Sequence, residues 1–177
     1  MICFDFDNTI TSGGTFWRML LCSGGWRGFL VNCLKESFSL TLYAFGLREK
    51  GRVREQLMET FFRGWHEEKF GALCEFTANR YGHLLRPEMI QRIENAIEQE
   101  EKVLIITDSF EPLVRAFLPK YDQIEVIATE LDTYNGMLSG RFRSPYCVGV
   151  EKVRRLLSLY PDRKEYRLVV YGDSKDD

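Results

Sequence analysis

"FDFDNTIT", residues 4–11, sets two carboxylates, Asp5 and Asp7, directly after the apolar start Met1-Ile2-Cys3-Phe4. A short apolar run that ends in acids reads as a buried strand reaching its carboxyl end. Residues i and i+2 of a strand share a face, so Asp5 and Asp7 are expected to converge where the strand stops. Two anions held that close repel each other unless a cation or a proton relieves them. A hard divalent ion such as Mg²⁺ suits an all-oxygen donor set and keeps several of its waters. Taken alone, the pair is as compatible with two solvated loop acids as with half of a metal site, so the remaining strand ends carry the decision.

Three later runs have the same character: "KVLIIT" (102–107), "IEVIAT" (124–129) and "YRLVVYG" (166–172). Each is short, apolar or β-branched, and followed by polar or turn-forming residues. Helix-like segments alternate with them, "EPLVRAFLPKY" (111–121) and "EKVRRLLSLY" (151–160), which predicts a Rossmann-like parallel sheet with right-handed crossovers, an α/β fold. Residues 13 to about 100 contain no convincing strand. Leu30, Leu34, Phe38, Leu42 and Phe45 recur at helical spacing, as do Met89, Ile90, Ile93 and Ile97 after Pro87, so this region reads as an all-helical insert between the first and second strands. Asn135-Gly136, between short alternating arms, predicts a hairpin over 131–142.

Ligands of open parallel sheets bind beyond the carboxyl ends of the strands. There the second run ends in Thr107-Asp108-Ser109, the fourth in Gly172-Asp173-Ser174 with Asp177 beyond, and Lys152 opens the helix before it. The set resembles the haloacid dehalogenase superfamily, and within it the phosphoserine phosphatase-like branch. DxDxT stands as Asp5-Phe6-Asp7-Asn8-Thr9, the apolar strand ending in Ser or Thr as "VLIIT" with Thr107, the lysine as Lys152, and GDxxxD as Gly172 to Asp177. All four occur in the family's order. The resemblance implies an α/β core made of 1–12 and 101–177, with 13–100 as a helical cap.

It further implies a Mg²⁺-dependent phosphomonoester hydrolase. Asp5 would be the nucleophile that forms an aspartyl phosphate, and Asp7 the general acid and base. Asp5 and Asp173 would give the metal side-chain oxygens and Asp7 its backbone carbonyl. Thr107, Lys152 and the amides around Asp108 and Asn8 would hold the phosphoryl oxygens, and Asp177 would orient Lys152 or a metal-bound water. Thr9 is expected to fix the loop. Ser109 is expected to cap the following helix, with the Asp108, Lys175 and Asp176 side chains solvated. Family members continue past the fourth motif with a further helix and strand, so the last strand here is expected to have an exposed edge or another cover.

Composition narrows the alternatives. A net charge of −2 on 177 residues argues against general nucleic-acid binding. Five scattered cysteines without a CxxC pair suggest reduced thiols in a cytoplasmic protein, and His66 and His83 have no partner at metal-ligand spacing. No run of about 18 apolar residues is present, so no spanning segment is expected. Segment 13–50 is aromatic-rich, with five basic residues (Arg18, Arg27, Lys35, Arg48, Lys50) against two acidic ones, Glu36 and Glu49. It is expected to be a helix buried against its neighbours, the alternative being peripheral contact with an anionic membrane. Arg18 is a candidate for a substrate's acid group.

The expected substrate is a small phosphate ester, a phospholipid headgroup included, because the insert's length and apolarity look like relatives acting on phosphatidylglycerophosphate. A phosphotransferase using the same intermediate and an inactive membrane-surface or scaffold protein are the other readings. A signalling receiver domain is excluded by motif order, since its phosphorylated aspartate would end a middle strand. The sequence sets no oligomeric state.

Overall fold

A computed structural model describes residues 1–174. The last three residues, and with them the roles expected of Asp177, Lys175 and Asp176, lie outside the described residues. Strand β1 (Ile2–Phe4) pairs in parallel with β2 (Val103–Ile106), and β2 pairs in parallel with β3 (Glu125–Ile127). A later strand pairs with the other edge of β1, as Phe4↔Tyr171 in register. The hairpin strands β4 (Leu131–Tyr134) and β5 (Met137–Phe142) form a separate antiparallel pair. With β6 (Val169–Tyr171) the main sheet has the order β3-β2-β1-β6, so β1 is central and its carboxyl end is flanked by β2 and β6.

Each strand is shorter than the run that predicts it, yet the ladder continues past it: the Asp5 amide donates to the Tyr171 carbonyl at 2.9 Å and the Thr107 amide to the Ile127 carbonyl at 2.9 Å. Strand alternation splits the core between the two faces of the sheet. Phe4, Val103 and Ile105 join the larger apolar cluster, while Cys3, Leu104, Ile106 and Ile127 join a smaller one with Cys147 and Leu156.

Between β1 and β2 lie α1 (Phe16–Lys35), α2 (Ser37–Ala44), α3 (Lys50–Phe62), α4 (Glu67–Tyr81) and α5 (Pro87–Glu98). Pro87 opens α5, which presents Ile93 and Ala96 inward and packs beside β2. Phe16, Met19 and Leu20 of α1, Leu57, Phe61 and Phe62 of α3, and Phe70 of α4 lie in the same cluster as Phe4 and Ile105, so the inserted helices and one face of the sheet share a continuous core. Helix α6 (Glu111–Phe117) follows β2, and α7 (Val150–Leu159) precedes β6. The hairpin packs on α3, where Gly140 lets β5 approach Glu59 closely.

Two expectations fail here. The apolar stripe of residues 26–47 is not buried: α1 breaks at Gly25 (φ 61°), and beyond it Leu30, Leu34, Phe38 and Phe45 face solvent. The inner side of this segment, Phe29, Cys33 and Leu40, is what the main core covers. Ser109 does not cap α6, because the helix starts one residue later than the pattern suggests, with Phe110 in the cap position and no side-chain cap bond.

Candidate active site

Beyond Phe4 the chain leaves the strand at once and enters a tight turn, Phe6–Ile10, in which Asn8 adopts a left-handed conformation (φ 65°). A short polar side chain tolerates that region better than most, which suits asparagine at this position. The Thr11 amide closes the turn on the Phe6 carbonyl at 3.0 Å. The Thr11 hydroxyl donates to the Phe6 and Gly13 carbonyls at 3.3 and 3.0 Å. Thr11 thus does the work expected of Thr9, whose buried hydroxyl has no partner among the described residues. Asp7 lies in this turn rather than in a strand, and the turn, not strand pleating, brings it beside Asp5.

Asp5, Asp7, Asp108, Lys152 and Asp173 all line one cavity of about 420 Å³, with Asn8, Trp17, Lys50 and Arg54. Lys152 is buried on the inward side of α7, one turn before Leu156, and its Nζ lies 2.7 Å from Asp5 Oδ1. Both side chains are about nine-tenths buried, so the ammonium favours the ionised form of the carboxylate it touches. Asp7 is held differently. Its Oδ1 accepts from the Thr15 amide at 2.7 Å and the Thr15 hydroxyl at 2.8 Å, while its Oδ2 is buried without a partner. Burial pushes the Asp7 carboxyl above its usual range, against the two Thr15 bonds and the Arg54 charge. One carboxylate is thus paired with a cation, and its neighbour is inclined to keep a proton.

Asp108 is not solvated, as its position after β2 had suggested. Its Oδ2 accepts from Lys50 Nζ at 2.6 Å and from the Tyr146 hydroxyl at 2.7 Å. Burial pushes its pKa up, but the charges of Arg54 and Lys50 and the bonds from Lys50 and Tyr146 outweigh that and hold it below the ordinary value. This clasp ties α3 and the loop before α7 to the end of β2. Thr107 is fully buried and does not line the cavity; its hydroxyl accepts from the Ser109 amide at 3.1 Å. Ser109 Oγ is buried and unpartnered among the described residues. Arg18 points elsewhere, donating to the Gly14 carbonyl and lying over the Tyr81 ring. Asp173 is exposed at the cavity mouth beside Ser174.

Sequence reasoning missed Thr15, Arg54 and Tyr146, and counted Lys50 only as one basic residue among several. Lys50 and Arg54 stand four apart, so they share a face of α3, and that spacing was the available signal. Arg54 is fixed over the Phe16 ring, 3.9 Å from its centroid. Tyr146 and Thr15 carry no local signal.

A metal fits the cavity's chemistry in one way. Among the described residues no group of three or more His, Cys, Asp or Glu side chains gathers as a ready metal site. Asp5 and Asp173 carboxylates with the Asp7 carbonyl would form an incomplete, oxygen-only set, which is what Mg²⁺ with its retained waters accepts. Buried Asp7 Oδ2, unpartnered at the same wall, marks a place where polar atoms are still to be satisfied.

A family model for haloacid dehalogenase-like hydrolases matches residues 2–177. The chain belongs to that family. The expected enzyme class, a hydrolase, follows from this membership. No curated protein matches the sequence. Among solved structures, a protein of unknown function from Bordetella pertussis Tohama I shares the fold with a TM-score of 0.84 at 14% identity, over 100% of this chain and 83% of that one. A hydrolase of the same family from Salmonella enterica serovar Typhi has a TM-score of 0.73 at 14% identity, over 99% of this chain and 56% of its own. A probable phosphoserine phosphatase from Vibrio cholerae has a TM-score of 0.69 at 16% identity, over 99% of this chain and 51% of its own. The haloacid dehalogenase-like chain therefore spans only about half the length of these last two structures. At these identities the likeness is one of fold.

Proposed function

We propose that this haloacid dehalogenase-like protein is a phosphomonoester hydrolase working through an aspartyl phosphate on Asp5. The observation that carries the reading is the contrast between the two adjacent carboxyls. Asp5 is paired with Lys152 at 2.7 Å, and Asp7 is buried with its pKa raised. A nucleophile must be anionic and a general acid must hold a proton, and the two environments supply these states separately.

The Asp5 carboxylate attacks phosphorus while the bond from phosphorus to the ester oxygen breaks, and Asp7 gives its proton to the departing alkoxide. Asp7, now a carboxylate, takes a proton from a water whose oxygen attacks the same phosphorus. The bond between phosphorus and Asp5 breaks, inorganic phosphate leaves, and Asp5 is again free with Asp7 again protonated. Lys152 offsets negative charge on the phosphoryl oxygens, helped by the amides at Asn8 and Asp108, while buried Thr107, expected as a phosphate ligand, acts on the loop through the Ser109 amide instead. Mg²⁺, held by the side chains of Asp5 and Asp173 and the Asp7 carbonyl, would supply positive charge against the repulsion between Asp5 and an anionic substrate. Of the 13–100 insert expected as the cap, we read only α1 to α4 as the cap, and α5, which packs beside β2, as part of the core.

The test is hydrolysis of a generic aryl phosphate by the wild type and by Asp5→Asn, each with Mg²⁺ and with a chelator. Turnover confined to the Mg²⁺-loaded wild type supports the assignment. Activity of Asp5→Asn at the wild-type level refutes it. Adding an acceptor alcohol and analysing products separates hydrolysis from phosphoryl transfer.

A further inference from the structure

We propose that the segment from Trp26 to Leu47 is a docking surface for an anionic lipid bilayer, on which the protein lies without crossing it. The inference is independent of the reaction proposed above. A helix of a globular protein normally turns its apolar stripe inward. Here Trp26, Leu30, Leu34 and Phe38 follow one another at four-residue spacing, and this stripe faces outward. Trp26 is 66% exposed, Leu34 69%, Phe38 74%, and Phe45 and Leu47 beyond them 75% and 74%. The inward side is already occupied, with Phe29 packed against Phe61 at 6.3 Å between ring centroids. The outer stripe is therefore a second apolar face with nothing of the described chain upon it. Contiguous exposed apolar surface of this kind marks an interaction site.

Charge selects the occupant. From Asn8 to Arg48 the single acidic residue is Glu36, and its carboxylate accepts a hydrogen bond from the Thr60 hydroxyl at 2.6 Å. Arg27 and Lys35 lie exposed beside the stripe, on a chain whose net charge is −2. Contact of this face with a second copy in a two-fold arrangement would bring the same basic flanks together with only Glu36, already bonded to Thr60, to receive them. An anionic bilayer receives both parts, the aromatic and aliphatic side chains in its interface and the cations at its headgroups. Among the described residues no helix is long and apolar enough to cross a membrane, which leaves an in-plane arrangement. The break at Gly25 separates this face from the first part of α1, which supplies Trp17 to the cavity wall. None of residues 26–47 lines the cavity, so docking through them uses no part of its wall.

The experiment is co-sedimentation of the full chain with phosphatidylcholine vesicles, with and without phosphatidylglycerol, alongside sedimentation velocity without lipid. Wild type is expected to partition to the anionic vesicles and only weakly to the neutral ones. Leu34→Ser/Phe38→Ser, at exposed positions, should lower partitioning to both while leaving thermal unfolding and aryl-phosphate turnover unchanged. Arg27→Glu/Lys35→Glu should lower partitioning to anionic vesicles by roughly tenfold or more, with little change on neutral ones. No vesicle binding by wild type, or binding that neither variant weakens, overturns the proposal. A dimer that Leu34→Ser/Phe38→Ser dissolves, with no vesicle binding, assigns the face to a second copy and overturns it equally.

Discussion

Gly140→Ala tests how α3 is held over the cavity. Gly140 sits in β5 at φ +84°, and a Cβ built there would lie 2.4 Å from Glu59 Cα and 3.0 Å from its backbone nitrogen. Two costs follow. A residue with a Cβ in the left-handed region loses about 1–2 kcal/mol. Overpacking adds about 1–3 kcal/mol, here toward the upper end because the struck atoms are backbone and cannot swing aside. Gly136→Ala is the control. It also has a positive φ, +74°, but its nearest neighbour would be His66 Nδ1 at 3.9 Å, so it carries the first cost without the second. Urea unfolding should place Gly136→Ala about 1–2 kcal/mol below wild type and Gly140→Ala about 2–5 kcal/mol below, with an unchanged slope. Because α3 also carries Lys50 and Arg54 to the cavity, Gly140→Ala should lose aryl-phosphate turnover under conditions where it is still folded. Equal destabilisation by the two substitutions would refute the close approach of β5 and α3 as the reason for glycine at 140.

Three further outcomes follow from the same geometry. Thr15→Val keeps the shape of the side chain but removes the hydroxyl bond to Asp7 Oδ1, leaving the amide bond; kcat on an aryl phosphate should fall roughly tenfold, the worth of about 1.4 kcal/mol, with KM little changed. An unchanged kcat would remove Thr15 from the positioning of Asp7. Asp108 has a depressed folded pKa, so its stabilising contribution is present above the ordinary carboxylate value of about 3.9 and is lost as pH falls through the lower folded value. Asp108→Asn should therefore lower Tm near neutrality and reduce its fall into acid, and an acid limb identical to wild type would contradict the clasp. Cys3, Cys74 and Cys147 are buried, their thiols pushed up to about 11, 12 and 11, whereas Cys22 and Cys33 are half-buried. A thiol reagent should modify the last two in the native protein and the first three only on unfolding; five equally fast thiols would contradict the core.

The strands were legible because β-branched runs that stop at acids or threonine have one economical use in an α/β chain. The hairpin was legible because Asn135 and Gly136 adopt positive φ in succession, +50° and +74°, as a tight two-residue turn requires. Periodicity, by contrast, identifies a helical face without saying what lies against it, which is why Leu34 and Phe38 read as core and prove exposed. The clasp at Asp108 joins residues 50, 108 and 146 from three separate elements, and no local pattern carries it. Asp5 and Asp7 line one cavity, for a reason partly different from the one expected. Strand pleating predicted their convergence, whereas a turn with left-handed Asn8 and closure by Thr11 brings it about.

The most direct test of the account is to trap the covalent phosphate. Wild type mixed with Mg²⁺ and an aryl phosphate, quenched in acid during turnover and digested, should yield an N-terminal peptide heavier by one phosphoryl group. Fragmentation should assign the group to Asp5, hydroxylamine should remove it, and Asp5→Asn should lack it. Turnover by wild type with the phosphoryl group on another residue, or with Asp5→Asn equally active, would contradict the central claim.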